Sequence, residues 1–147
     1  MAALPASAQN LLVNPNFDHD LSGWLTSARF DPAHDANGSS TSGSALLHGY
    51  GHTTICQCAA QAVTPGVTFD FGGSAGFLDG GEGPYDSAFF TVSVYSDGNC
   101  GGTNVGRFVS SFLGSPSRWS RLRGEFRNRL GDPFPIIQDT DAFATCP

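Results

Sequence analysis

Ala88-Phe89-Phe90-Thr91-Val92-Ser93-Val94-Tyr95 sends Ala88, Phe90, Val92 and Val94 to one side of an extended chain and Phe89, Thr91, Ser93 and Tyr95 to the other. Alternation of period two, built from β-branched and aromatic residues, marks a strand. The second side is itself partly apolar, as in a strand in the middle of a sandwich. Val67–Phe71 repeats the pattern, with Val67, Phe69 and Phe71 against Thr68 and Asp70. Turn-forming clusters bound these runs: Thr64-Pro65-Gly66, Asp79 to Pro84, and Asp97-Gly98-Asn99. Further strands are expected at Leu11–Asn14, Ala45–Gly49, Thr53–Val63, Val105–Leu113 and Arg118–Phe126. No window shows an apolar helical stripe with caps, and no internal repeat is present. Short strands joined by Gly-rich turns predict an all-β sandwich or barrel.

Composition agrees. The 147 residues argue for one domain, and 39% hydrophobic against 14% charged residues supplies a core. The 19 Gly and 12 Phe lean towards strands and tight turns. No apolar run approaches the roughly 18 residues of a membrane span. The net charge of −6 argues against nucleic acid, whose binding rests on a basic surface. That charge is uneven. There is no Lys, residues 1–106 hold Arg29 alone against nine acids, and residues 107–147 hold six Arg against four.

Ala6-Ser7-Ala8 has the small-x-small form of a signal-peptidase site. Residues 1–8 are therefore expected to be the remnant of a signal peptide, with a single sandwich domain over 9–147. Four Cys in an acidic, Lys-free chain fit an oxidising compartment and allow three pairings. Cys56 and Cys58 fall on one face of a strand, which argues against a bond between them and leaves Cys100 or Cys146 as partner of each. The spacing lacks the paired short intervals of structural zinc sites.

The opening Asn10-Leu11-Leu12-Val13-Asn14-Pro15-Asn16-Phe17-Asp18, followed by Leu21-Ser22-Gly23-Trp24, resembles the start of the jelly-roll carbohydrate-binding modules and the galactose-binding-like sandwiches around them. Ser44-Ala45-Leu46, then Gln57-Cys58 ahead of Val63-Thr64-Pro65-Gly66-Val67-Thr68-Phe69, and Val92 to Cys100, are similar to later strands of the family. The resemblance covers roughly residues 10–113. It implies a jelly-roll β-sandwich and a non-catalytic, secreted bacterial module, a monomer, whose partner is a polysaccharide or glycan. It also implies a disulfide between Cys58 and Cys100, and a structural calcium at Asp18, the acid after the motif's Phe. Calcium wants several oxygens at about 2.3–2.6 Å, and the family's closing acidic strand is absent here. Trp24 is expected to pack rather than to bind sugar.

Modules of this class need a flat aromatic face for the sugar's C–H side and polar neighbours for its hydroxyls. Tyr50 and His52 in the Gly49–His52 loop, and Tyr85 in the Gly-rich loop after Asp79, are the candidate carbohydrate-binding residues, with Asp79, Glu82 and Asp86 as acceptors. A structural or adhesive domain without sugar binding is the alternative. A small hydrolase is the remote one. Gly72-Gly73-Ser74-Ala75-Gly76 matches the nucleophile-elbow pattern, but that elbow needs a following helix and a later His, and all four His precede Ser74. Gly49 and Gly51 speak against a helical metal pair of His48 and His52. Trp119-Ser120-Arg121-Leu122 still resembles the family's Trp-x-x-Leu strand. Beyond Leu122 the alternation fails on the page while the charge changes sign. A shift of reading frame near residues 115–127 and ordinary divergence both explain that, and the residues from about 127 are atypical of the family.

Overall fold

The structure, a computed structural model, describes residues 9–48, 53–64, 66–78, 87–114 and 119–127. Those residues are all β, with no helix. Ten strands are present: β1 Leu25–Thr26, β2 Arg29–Asp31, β3 Ser44–Leu46, β4 Ile55–Cys56, β5 Thr68–Ala75, β6 Ser87–Ala88, β7 Thr91–Tyr95, β8 Asn104–Val109, β9 Leu113–Gly114 and β10 Ser120–Arg127. They form five antiparallel pairs: β1 with β4, β2 with β3, β5 with β10, β6 with β9, and β7 with β8. The chain divides into two compact units, one up to Ala59 and one from Ala60.

In the first unit, β1 and β2 were not expected from sequence, being only two and three residues long. The expected strand at Leu11–Asn14 is absent. Asn14 has φ 47, outside the extended region, and its side chain organises a loop instead. Thr53–Val63 shrinks to β4. The β2–β3 ribbon closes tightly at Gly43. A Cβ there would meet the Asp31 carbonyl at 2.6 Å and the Phe30 ring at 2.7 Å, so only glycine lets the strands meet. This unit holds no buried apolar side chain among its described residues, and its buried side chains are polar, Asp31 and Ser44.

The second unit carries the apolar core: Val94, Leu113, Leu122 and Phe126. The β5–β10 ribbon is its longest element, eight residues against eight, from Ser120 opposite Ala75 to Arg127 opposite Thr68. It opens with a turn in which the Val67 N–H reaches the Thr64 carbonyl at 3.2 Å, with Gly66 at φ 85. Phe69, Phe71, Gly73 and Ala75 of β5 share the inward side with Leu122, Gly124 and Phe126 of β10. The Phe126 ring lies nearly parallel to Phe69 at 5.0 Å and to Phe108 of β8 at 4.7 Å, and tilts against Phe71 at 6.4 Å. Phe71 fills the space a Cβ on Gly124 would take, and Phe90 covers Gly73 at 3.0 Å. Glycine facing phenylalanine, twice over, is how this sheet accepts so many rings. The packing of β10 against both β5 and β8 is consistent with a β-sandwich.

Two expected strands are interrupted. Ala88–Tyr95 splits at Phe89-Phe90. There the Ser110 hydroxyl accepts from the Phe90 N–H and the Ser110 N–H donates to the Phe90 carbonyl, both at 2.9 Å. Ser110 itself is buried, so side chain and backbone together satisfy groups a regular ladder would have paired. Val105–Leu113 splits at the same point. In β10, by contrast, alternation does not fail after Leu122. It runs through Gly124 and Phe126 to Arg127.

Removing the Phe126 ring deletes contacts with three other rings. Phe126→Ala is expected to lower stability by about 3–5 kcal/mol, and Gly124→Ala by about 1–3 kcal/mol because Phe71 must move. Urea unfolding followed by near-UV circular dichroism measures both.

Candidate functional site

The opening motif builds a loop around one amide. Asn14 Nδ2 donates to the carbonyls of Asp20 at 3.0 Å and Ser22 at 3.3 Å, and its Oδ1 accepts the Asp18 N–H at 2.6 Å. The loop turns through left-handed φ at Asn14, Phe17, His19 and Gly23. Such turns strain residues with a Cβ, and the Asn14 amide supplies the bonds that hold them. The Trp24 indole N–H donates to the Asn14 carbonyl at 3.0 Å, and its ring lies 5.4 Å from Phe17. Trp24 is thus a half-buried packing residue, as expected.

Gln57, from the second segment of the resemblance, closes this loop from 44 residues away. Its Oε1 accepts the Val13 N–H at 2.6 Å, and its Nε2 donates to the carbonyls of Val13 at 3.0 Å and Gly23 at 2.7 Å. Gly23, at φ 84, leaves the room for it: a Cβ there would sit 3.2 Å from Gln57 Nε2.

Asp18 is exposed, and its backbone bridges to Ser42. The Ser42 hydroxyl donates to Asp35 Oδ2 at 2.9 Å rather than turning to Asp18. Among the described residues no three of His, Cys, Asp and Glu are grouped as a metal would need. Asp18 brings one carboxylate where calcium takes six to eight oxygens.

Two other acids organise the loop between β2 and β3. Asp31 accepts from His34 Nδ1 and from the Ala33 N–H, at 2.8 and 2.9 Å. These bonds, His34's first, hold its carboxyl below the ordinary value of 3.8. Asp35 is lowered likewise, chiefly by the Ser39 N–H at 2.7 Å. Both acids hold the turn between β2 and β3.

Cys58 and Cys100, the pair the resemblance implied, are both disulfide-bonded. Cys56 is disulfide-bonded too, and no described cysteine is free. Ser74 is the penultimate residue of β5, paired with Arg121, so this serine lies in extended strand rather than at an elbow. Tyr50, His52 and Tyr85, with Asp79, Glu82 and Asp86, lie outside the described residues.

Sequence reading missed the outward side of the β5–β10 ribbon. Trp119, 39% exposed, lies just ahead of β10 with its indole 3.3 Å from where a Gly76 Cβ would sit. Arg121 and Arg123 follow at two-residue steps, opposite Ser74 and Gly72. The five Arg between 118 and 129 were the available signal, but parity in β10 was needed to read it.

Searches against protein-family models, curated proteins and solved structures find no match to this chain. The functional reading therefore rests on the residues themselves.

Gln57→Glu is the sharpest probe of the loop closure. The carboxylate loses both donor bonds and faces two carbonyls, so a loss of about 1–3 kcal/mol is expected, growing as pH rises through the glutamate's titration. Comparing the urea midpoints of Gln57→Glu and wild type from pH 4 to 7 measures it. The lowered Asp31 and Asp35 act in the other direction. A depressed carboxylate stabilises fully above its unfolded value and loses that contribution as pH falls through the folded one. Wild type should lose stability on acidification below about pH 4, and Asp31→Asn should show a flatter acid limb.

Proposed function

We propose that this chain is a non-catalytic, carbohydrate-binding-module-like domain of a secreted or cell-surface protein, with a jelly-roll, galactose-binding-like sandwich fold. The observation that carries the reading is the Gln57 closure. The two segments that resemble the family, the Asn10–Trp24 opening and the Gln57-Cys58 pair, meet through three hydrogen bonds across 34 to 44 residues. Asn14, Trp24 and Gln57 each have a defined place in that joint. Disulfide-bonded cysteines are typical of proteins outside the reducing cytosol, which supports secretion. No helix of the described residues is long and apolar enough to cross a membrane.

The chemistry asked of such a domain is modest: an aromatic face, hydroxyl partners and a rigid support. Tyr50, His52 and Tyr85 are the proposed glycan contacts, the first two beside glycine in sequence and Tyr85 two residues after Gly83. Calcium enters no step of this proposal.

Affinity electrophoresis across a panel of soluble polysaccharides tests the reading, with near-UV circular dichroism confirming a folded chain. Retardation by at least one polymer is expected, and Tyr50→Ala or Tyr85→Ala should weaken it at least tenfold. A folded chain that no polymer retards overturns the reading in favour of a structural or adhesive domain.

A further inference from the structure

We propose that the outward side of the β5–β10 ribbon binds an anionic polysaccharide, with Trp119 as the sugar platform and Arg121 and Arg123 as ligands of carboxylate or sulfate groups. The proposal rests on the glycan-binding reading and names the class of glycan.

Parity places the residues. Leu122 and Phe126 are buried at 4% and 7% exposure, so Arg121 and Arg123 point to the opposite side of the same strand. Two strand residues span about 6.8 Å, which sets the two guanidinium groups side by side along one line with Trp119. The facing strand offers almost no side-chain bulk there. Gly76 lies beneath the indole, while Ser74 and Gly72 stand opposite Arg121 and Arg123. Gly72 is fixed as glycine by its φ of 143 and by the Leu122 carbonyl, which occupies the place of a Cβ. The result is a low floor with an aromatic and two cations beside it.

The charges are uncommitted. In a chain with 13 acids and seven Arg, neither the Arg121 nor the Arg123 side chain has an ion pair or hydrogen bond among the described residues. Arg127, further along, is tied through Nε to the Gly66 carbonyl at 3.1 Å. Asp70 and Glu125 oppose each other one step beyond Arg123 and repel anions, so they bound the site at that end. Arginine suits the task because its planar fork matches carboxylate or sulfate oxygens two at a time. An exposed indole supplies the apolar face on which a sugar ring lies. The net charge of −6 gives a polyanion no general attraction, so binding has to be local.

The test is affinity electrophoresis of the whole chain in polygalacturonate, in its fully methyl-esterified counterpart, in dextran sulfate, in a neutral polysaccharide panel and with single-stranded RNA. Retardation by polygalacturonate or dextran sulfate, but not by the ester, is expected, and which of the two acts identifies carboxylate or sulfate as the ligand. Arg121→Gln/Arg123→Gln, surface changes that leave the core intact, should weaken that binding at least tenfold, and Trp119→Ala should weaken it too. Unchanged binding by the double variant, equal binding of the ester, or retention by RNA in place of the polymers overturns the proposal. Retardation by neutral polymers alone overturns it while the module reading stands. A folded chain that no glycan retards overturns both.

Discussion

The ring of Phe126, held between Phe69 and Phe108, is the contact on which the second unit depends. It ties β10 to its partner β5 and also to β8, and so fixes the register of the longest ribbon. Register in a sheet is a matter of parity. A slip of one residue exchanges every inward side chain for an outward one. With Phe126 inside, Leu122 is inside and Gly124 faces Phe71. Trp119, Arg121 and Arg123 are then left on the other side, over a strand reduced to glycine and serine. The core and the proposed binding face are two readings of one constraint.

The first unit solves its problem differently. It has no buried apolar side chain among its described residues, and its order comes from side chains bonded to backbone. Asn14 holds one turn, Asp31 and Asp35 hold another, and Gln57 joins the opening loop to the segment carrying β4. Hydrogen bonds of this kind contribute about 1 kcal/mol each when made and cost more when one partner is left unsatisfied. That asymmetry explains why side chains as short as asparagine and aspartate sit at the bends. It also explains why Gly23 and Gly43 stand where a Cβ would separate the partners.

How much of this the sequence disclosed follows from the range of each interaction. Alternation in Val67–Phe71 and in Thr91–Tyr95 is local, and strands stand there. The turn before Thr68 was legible in Thr64-Pro65-Gly66. Leu11–Asn14 looked like a strand because its apolar residues outweighed the asparagine that redirects the chain. β10 misled for a subtler reason. Gly124 occupies an inward position without a side chain, so the pattern from Leu122 to Phe126 reads as broken until Phe71, more than fifty residues earlier, is seen to fill the gap. The partners of Gln57 are equally non-local. Of the expected site, the structure places Asp18 on an exposed loop and holds Cys58 and Cys100 in disulfides. Trp119 and Arg121 were visible as residues, but not as neighbours on one face, because that requires knowing which side of β10 the core takes.

The register of β10 against β5 is therefore the quantity to measure first. Cross-strand backbone proton contacts, assigned by nuclear magnetic resonance on isotope-labelled chain, report it without any ligand. Contacts that set Phe126 opposite Phe69, Gly124 opposite Phe71 and Arg123 opposite Gly72 are expected. A ladder displaced by one residue would turn Arg121 and Arg123 towards the phenylalanine rings and contradict both the core and the face derived from it.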